Sequence, residues 1–259
     1  MDGNLIKGDK MGATLVSSNK VTMDELSNIT LPNKTHSYVP VSHVDFIRNT
    51  KDIANRVLDK HQLHKEQYGI AKDGKQMFGT LTYKEAFHDD PQEIGLSIGL
   101  RNSYDKSMSL GICSGASVFV CENLMMTGEI VVMRMHTGSI IDELKGLIFN
   151  ALLKAEDKFS TIHADSQKLK KYILEDNTTA YNLMGRLYGY GVLTERQLPV
   201  MKRAWTTPQH EEFKPRTAWS LYNAGTEALK TTHPLYKMKR HLQMHRMVVG
   251  DFLLPRTMA

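Results

Sequence analysis

Residues 93–101 read Glu93-Ile94-Gly95-Leu96-Ser97-Ile98-Gly99-Leu100-Arg101, alternating between apolar and small or polar side chains. A strand turns successive side chains to opposite faces, so this period of two predicts a half-buried strand with Ile94, Leu96, Ile98 and Leu100 toward the core. Asn102-Ser103-Tyr104-Asp105-Lys106-Ser107 follows, and short polar side chains of this kind bond their own backbone and reverse the chain. A second strand is expected over 108–113. Past Ser114-Gly115-Ala116, two more apolar runs, 118–121 and 130–135, flank a turn at Gly128. Thr137-Gly138 ends the pattern, and Ser139-Ile140-Ile141-Asp142 reads as a helix cap. Ile140, Leu144, Leu147, Ile148, Ala151, Leu152 and Ala155 then recur at helical spacing. The stretch predicts an antiparallel β-meander covered on one face by a long amphipathic helix.

Upstream, period-two runs at 68–71 and 77–83 flank Lys72-Asp73-Gly74-Lys75, and Asp-Gly between such runs signals a hairpin. Ser42-His43-Val44-Asp45 is a Ser-x-x-Asp cap for a helix over 42–60, with Asn49-Thr50 as its candidate break. Residues 1–38 show no sustained periodicity and read as a loosely ordered arm with one short strand near 14–16.

Downstream the pattern is helical throughout. The charged segment 154–171 has a break expected at 160–163. Segment 179–190 ends in Gly189-Tyr190-Gly191, and Thr194-Glu195-Arg196-Gln197 resembles a capping box opening a helix to Trp205. After a linker at 206–215, a helix over 216–230 with Trp219, Tyr222 and Leu229 inward precedes a basic helix over 235–249. Strands first and helices after them argue an α+β fold with a helical C-terminal half. The regions are an arm at 1–38, an α+β core domain at 39–175 and a helical region at 176–259 packed on that core.

Bulk composition narrows the function classes. A chain of 259 residues with 41% hydrophobic and 24% charged residues can bury a core without staples. No run approaches the ~20 apolar residues of a membrane span, and the first residues are polar where a signal peptide is apolar. A cytoplasmic protein without a membrane partner is expected. Cys113 and Cys121 both sit in apolar patterns, as small buried hydrophobes in a reducing compartment do. Lysine and arginine number 33 against 28 acidic residues, a net +5. Between Glu227 and Asp251 there is no acidic residue, while Lys230, Lys237, Lys239, Arg240 and Arg246 are joined by His233, His241 and His245. Such polarisation suits contact with nucleic-acid phosphate.

Catalytic signatures are missing from the pattern. Gly111-Ile112-Cys113-Ser114-Gly115 lies in a strand pattern without the turn that presents a nucleophile. Gly95, Gly99, Gly111, Gly115 and Gly128 are dispersed along strands, where glycine marks bulges or close backbone approach. His88-Asp89-Asp90 is the most metal-like cluster, with His136 and His163 as partners from elsewhere, but no second motif of fixed spacing accompanies it. No metal or other cofactor is assigned. The reading favours a binding protein over an enzyme. Its candidate nucleic-acid contacts are Arg101, Asn102, Ser103, Tyr104 and Lys106 in the turn, with Tyr104 expected to be exposed for base stacking. Arg134 and His136 form a second polar strand end, and Lys237, Lys239, Arg240 and Arg246 are expected to close the other side of a channel.

Four strings then coincide: Arg-Asn-Ser-Tyr-Asp-Lys-Ser at 101–107, Cys-Glu-Asn at 121–123, Met-His-Thr-Gly at 135–138 and Thr-Ala-Trp-Ser-Leu-Tyr-Asn-Ala-Gly-Thr-Glu at 217–227. Together they resemble the phage/plasmid-like family of unknown function, over residues 38–249. That resemblance implies a mobile-element origin and hands over no catalytic residues. The order hairpin, meander, covering helix is similar to the core of phage single-strand annealing proteins, the Red-beta and Erf group, which bind single-stranded DNA in a basic groove and assemble as rings or filaments. It implies a homo-oligomer acting on single-stranded DNA in recombination or replication, by analogy of fold. Two other functions stay open: an interaction protein that disables a host defence factor, and a metal-dependent nuclease using His88, Asp89, Asp90 and His136.

Overall fold

The computed structural model describes residues 19–86, 94–119, 123–126, 132–134 and 140–254. The expected strand near 14–16, the Gly128 turn, the Ser139 cap, Cys121, the His88-Asp89-Asp90 cluster and His136 lie outside the described residues. The elements in order are β1 (Lys20–Val21), α1 (Met23–Ser27), α2 (His43–Val57), β2 (His61–Ala71), β3 (Gln76–Glu85), β4 (Ile94–Ser103), β5 (Leu110–Val118), β6 (Asn123–Met126), β7 (Val132–Arg134), α3 (Ile140–Lys171), α4 (Asn177–Gly189), α5 (Leu198–Thr206), α6 (Ala218–Leu229) and α7 (Pro234–Phe252). The fold is α+β, with strands leading and helices filling the C-terminal half.

β1 to β5 follow one another as antiparallel neighbours, and β6 and β7 both pair with the outer edge of β5. The Asp73-Gly74 hairpin forms as predicted, with Lys72, Asp73 and Gly74 all at positive φ. Gly74 also lies against Ile29, so a side chain there would meet both strain and a clash.

β5 runs unbroken through Ser114-Gly115-Ala116, where two strands were expected, because Ser114, Gly115 and Ala116 each keep a partner on β4. β2 begins at His61, well before the apolar alternation. Its polar first half is held by the ladder to β3, with one irregularity between Leu63 and Lys65. The glycines of β4 and β5 mark no bulge, since their register is continuous.

Helix boundaries differ from expectation in similar ways. α3 spans 32 residues without the break expected at 160–163. Ser160 and Thr161 return their hydroxyls to the carbonyls of Glu156 and Asp157, while Phe159, Ile162 and Leu169 continue the buried stripe. α2 likewise passes Thr50, whose Oγ1 donates to the Phe46 carbonyl. α5 starts at Leu198 and not at 194. The Gln197 Oε1 accepts from Thr194 N as in a capping box, but Pro199 has no N–H to extend a helix backward. Within the arm expected to be loose, residues 19–38 hold β1 and α1. Thr22 and Glu25 form a full capping box, and Leu26 is buried in the core.

The two sheet faces differ sharply. Met77, Leu81 and Tyr83 of β3, Leu96, Ile98 and Leu100 of β4 and Leu110 and Ile112 of β5 share one core with α2, α3, α6 and the C-terminal half of α7. That core holds side chains from both sides of the boundary expected near residue 175. By register and the pleat, the second face carries Phe78, Thr80 and Thr82 on β3, Gly95, Ser97, Gly99 and Arg101 on β4, and Gly111, Cys113, Gly115 and Ser117 on β5. At one end Phe78, Met108 and Cys113 pack against Leu235, Met238 and Leu242 of α7. α7 therefore touches the small-residue face as well as the main core.

Candidate nucleic-acid interface

The turn after β4 is built for structure at most of its positions. Asn102 and Ser103 are buried within β4, and the Ser103 hydroxyl donates to the Met108 carbonyl at 2.7 Å. Asn102 Nδ2 donates to the Val41 carbonyl at 2.8 Å and to His43 Nδ1 at 3.0 Å. The His43 proton thus resides on Nε2, 3.0 Å from the Gly74 carbonyl oxygen. Tyr104, expected to be exposed, is buried. Its ring stacks on His43 with centroids 3.7 Å apart, and its hydroxyl accepts from His43 N. The physical reason is that Tyr104 and His43 fasten the start of α2 to the sheet end. Asp105 pairs with Lys72 at 3.0 Å and accepts from Ser107, contacts that lower its pKa against the opposing effect of burial. Lys106 is exposed at φ +62°, with its Nζ 4.9 Å from the Tyr38 ring centroid.

Arg101 is different. It stands on the small-residue face, half-buried, with its Nε shielded and without a hydrogen-bond partner among the described residues. Burial lowers its pKa from the ordinary arginine value, and among the described residues no carboxylate offsets that cost; the charge partner recorded beside it is the Cys113 thiol. Burial pushes that thiol up to about 12, so it stays neutral and leaves the guanidinium uncompensated. A buried cation without a counter-charge is costly, and sites that keep one commonly meet an anion.

The basic helix divides its charges in a way the sequence does not show. Lys237, His241 and His245 recur at i, i+4 and i+8 and are all buried, so this stripe faces inward. Lys237 Nζ donates to the Lys230 carbonyl at 2.9 Å, and burial lowers its pKa to about 8. His245 is pushed down to about 4 by burial and sits 3.9 Å from Asp165 of α3. Lys237 is thereby corrected from a surface contact to a core residue, because α7 is covered by α6 on that side.

Lys239 and Arg246 are exposed. At about 100° per residue they lie within about 60° of Leu242, on the flank of α7 that borders the sheet's second face. Arg240 lies about 160° from Leu242, where its Nη1 is 3.4 Å from Gln197 Oε1 on the α5 side. Arg134 stands in β7 opposite Leu110. Of the predicted residues, then, Arg101, Lys239 and Arg246 border one seam between the sheet and α7. Lys106 is exposed on the β4–β5 turn, Arg240 faces another helix, and Asn102, Ser103, Tyr104 and Lys237 are buried. His163 is exposed on α3 near Gln167, and among the described residues no group of three His, Cys, Asp or Glu side chains is placed to hold a metal.

Thr80 and Ser97 were not singled out in the sequence. Both lie on the same face as Arg101, nearly inaccessible, with hydroxyls that meet no partner among the described residues. The signal was present in the Gly95-x-Ser97-x-Gly99-x-Arg101 alternation, where every second residue is glycine, serine or a cation and none is an apolar core side chain.

These features define an α+β protein whose antiparallel sheet offers one glycine-rich polar face beside a basic helix. Residues 31–248 match the model of the family described as Domain of unknown function (DUF932), and the chain belongs to that family. No curated protein and no solved structure matches the chain. Among the described residues no helix is long and apolar enough to cross a membrane.

Proposed function

We propose that this protein binds nucleic acid, single-stranded DNA in preference, as a non-enzymatic recombination or replication factor of a mobile element, working as a homo-oligomer. One observation carries the reading. The uncompensated Arg101 guanidinium lies on a sheet face bordered by the α7 flank that exposes Lys239 and Arg246. Cations that have no acidic partner among the described residues and share a seam suit a phosphodiester backbone, which supplies one negative charge per nucleotide.

The test is fluorescence anisotropy with labelled oligonucleotides across a salt series. Affinity should fall steeply with salt, and Arg101→Ala, Lys239→Ala and Arg246→Ala should each reduce the magnitude of the negative slope of log affinity against log salt by roughly 0.7 on a single strand. Absence of binding at low salt overturns the reading.

A protein partner, such as a host defence factor, is a second reading favoured by a separate observation. Ile173, Tyr190 and Leu254 are exposed large side chains, 69%, 69% and 59% accessible. A partner retained in pull-downs after nuclease treatment, with no oligonucleotide binding by the purified chain, decides for this second reading.

A further inference from the structure

We infer that the exposed flank of α4 is a stacking platform for the unpaired bases of a single strand, formed by Tyr181 and Tyr188 with Gly185 between them and Lys202 at its edge. The inference rests on the nucleic-acid reading and deepens it. Contacts to phosphate hold duplex and single strand alike, so a preference for the single strand needs a surface that takes bases whose faces are open.

Tyr181 and Tyr188 are seven residues apart on α4, which turns them to within about 20° of one another and sets them about 10.5 Å apart along the axis. Ala180, Leu183, Met184 and Leu187 make the buried side of the helix, and the two rings stand beyond it, 42% and 48% accessible. The helix positions nearest the line between them are Met184, which is buried, and Gly185. A separation of about 10.5 Å is three intervals of the roughly 3.4 Å rise between stacked bases, which leaves room for two bases between the rings.

Gly185 is the second observation. Glycine inside a helix costs stability relative to alanine, so it needs a reason. A Cβ at Gly185 would meet nothing within 4 Å, and its φ is not positive, so neither crowding nor backbone conformation calls for glycine there. Its effect is to keep the surface between the rings bare.

Charge supplies the third. Residues 177–206 carry Arg186, Arg196, Lys202 and Arg203 against one acid, Glu195. Arg186 is spent on Asp251 at 2.7 Å. Lys202 of α5 is exposed, with its Nζ 5.9 Å from the Tyr181 ring centroid, so a cation stands where the phosphate of a stacked nucleotide would pass. Tyrosine faces flanked by a cation take the bases and the backbone of one strand together.

The experiment uses the full chain with a labelled oligo-deoxythymidine and a labelled duplex, measured by anisotropy across a salt series. Tyr181→Ala and Tyr188→Ala should each weaken single-strand binding about tenfold with the salt slope and the duplex affinity unchanged, and Tyr181→Phe and Tyr188→Phe should bind as the wild type does. Lys202→Ala should instead reduce the magnitude of the negative salt slope by roughly 0.7. Gly185→Leu guards against a trivial loss of fold. It should melt a few degrees higher, because leucine favours the helix and the site is open, yet bind the single strand about tenfold more weakly because its side chain rises between the rings. Single-strand binding that is unchanged in Tyr181→Ala, Tyr188→Ala and Gly185→Leu overturns the inference and leaves the nucleic-acid reading intact. Equal losses on single strand and duplex overturn it too, as does a loss accompanied by a changed sedimentation mass, which would make this flank a contact between copies of the chain. A wild type that binds neither oligonucleotide at low salt overturns the reading and the inference together.

Discussion

Lys237→Met measures the electrostatic tension inside α7. Lys237 is 1% exposed, and burial, then the nearby Lys230 charge, lowers its pKa from 10.5 to about 8. The folded protein gives up this proton near pH 8, whereas the unfolded chain holds it to about pH 10.5. Between those values the unfolded state binds more protons, so stability from this group rises with pH, and the full penalty applies below pH 8. The difference, 10.5 − 8 = 2.5 pK units, corresponds to about 3 kcal/mol at 1.36 kcal/mol per unit.

Methionine fills the same space with a flexible apolar chain and removes the charge, at the loss of one hydrogen bond to the Lys230 carbonyl worth about 1 kcal/mol. The variant should therefore be about 2 kcal/mol more stable near neutral pH, a rise of roughly 4–8 °C in melting temperature. Urea and thermal melts of both proteins across pH 7 to 10.5 provide the assay. The advantage of the variant should shrink as pH climbs through the window. Tyr68, Tyr83 and Tyr222, whose pKa values are raised by burial, titrate in both proteins and cancel in the difference. Parallel curves from pH 8 upward, or a variant less stable than wild type at neutral pH, refute the reasoning.

Three further substitutions probe the fold around the seam. Gly95→Ala would place a Cβ 2.5 Å from the Tyr83 carbonyl oxygen and against the Phe119 ring, and since the carbonyl belongs to a paired strand it should cost about 1–3 kcal/mol, read as a lower urea midpoint at unchanged slope. Asn102→Ala strands the Val41 carbonyl and frees the His43 tautomer; a loss of about 1–3 kcal/mol is expected, with a change in the His43 ring resonances by NMR. Trp219→Ala removes a ring that is 4% exposed, stacked on Tyr222 and approached by Lys170 Nζ at 5.7 Å. It should cost about 3–5 kcal/mol in chemical denaturation while the folded protein keeps its oligonucleotide affinity.

What was legible in the chain followed from local periodicity. The alternation at 94–101 determined β4 and its core face, Asp73-Gly74 determined the hairpin, and the helical recurrence from Leu144 determined α3, because each of these signals is complete within a few residues. Arg101 was legible as a candidate for the same reason: a cation at the end of an alternating strand. The polar half of β2 was not, since only the ladder to β3 makes it a strand.

Nor could composition separate Lys237 from Lys239. The two are adjacent on a uniformly basic helix, and α6 and the sheet decide which one is inside. Tyr104 and Asn102 looked like exposed turn residues until α2, some 60 positions earlier, was seen to rest on them. Sequence alone determined the strands and helices whose periodicity is complete within a few residues, because backbone periodicity is local. Only the tertiary structure decided which polar groups are spent on the core and which cations are left without a counter-charge. Burial and pairing depend on elements far apart along the chain, and no local pattern encodes their meeting.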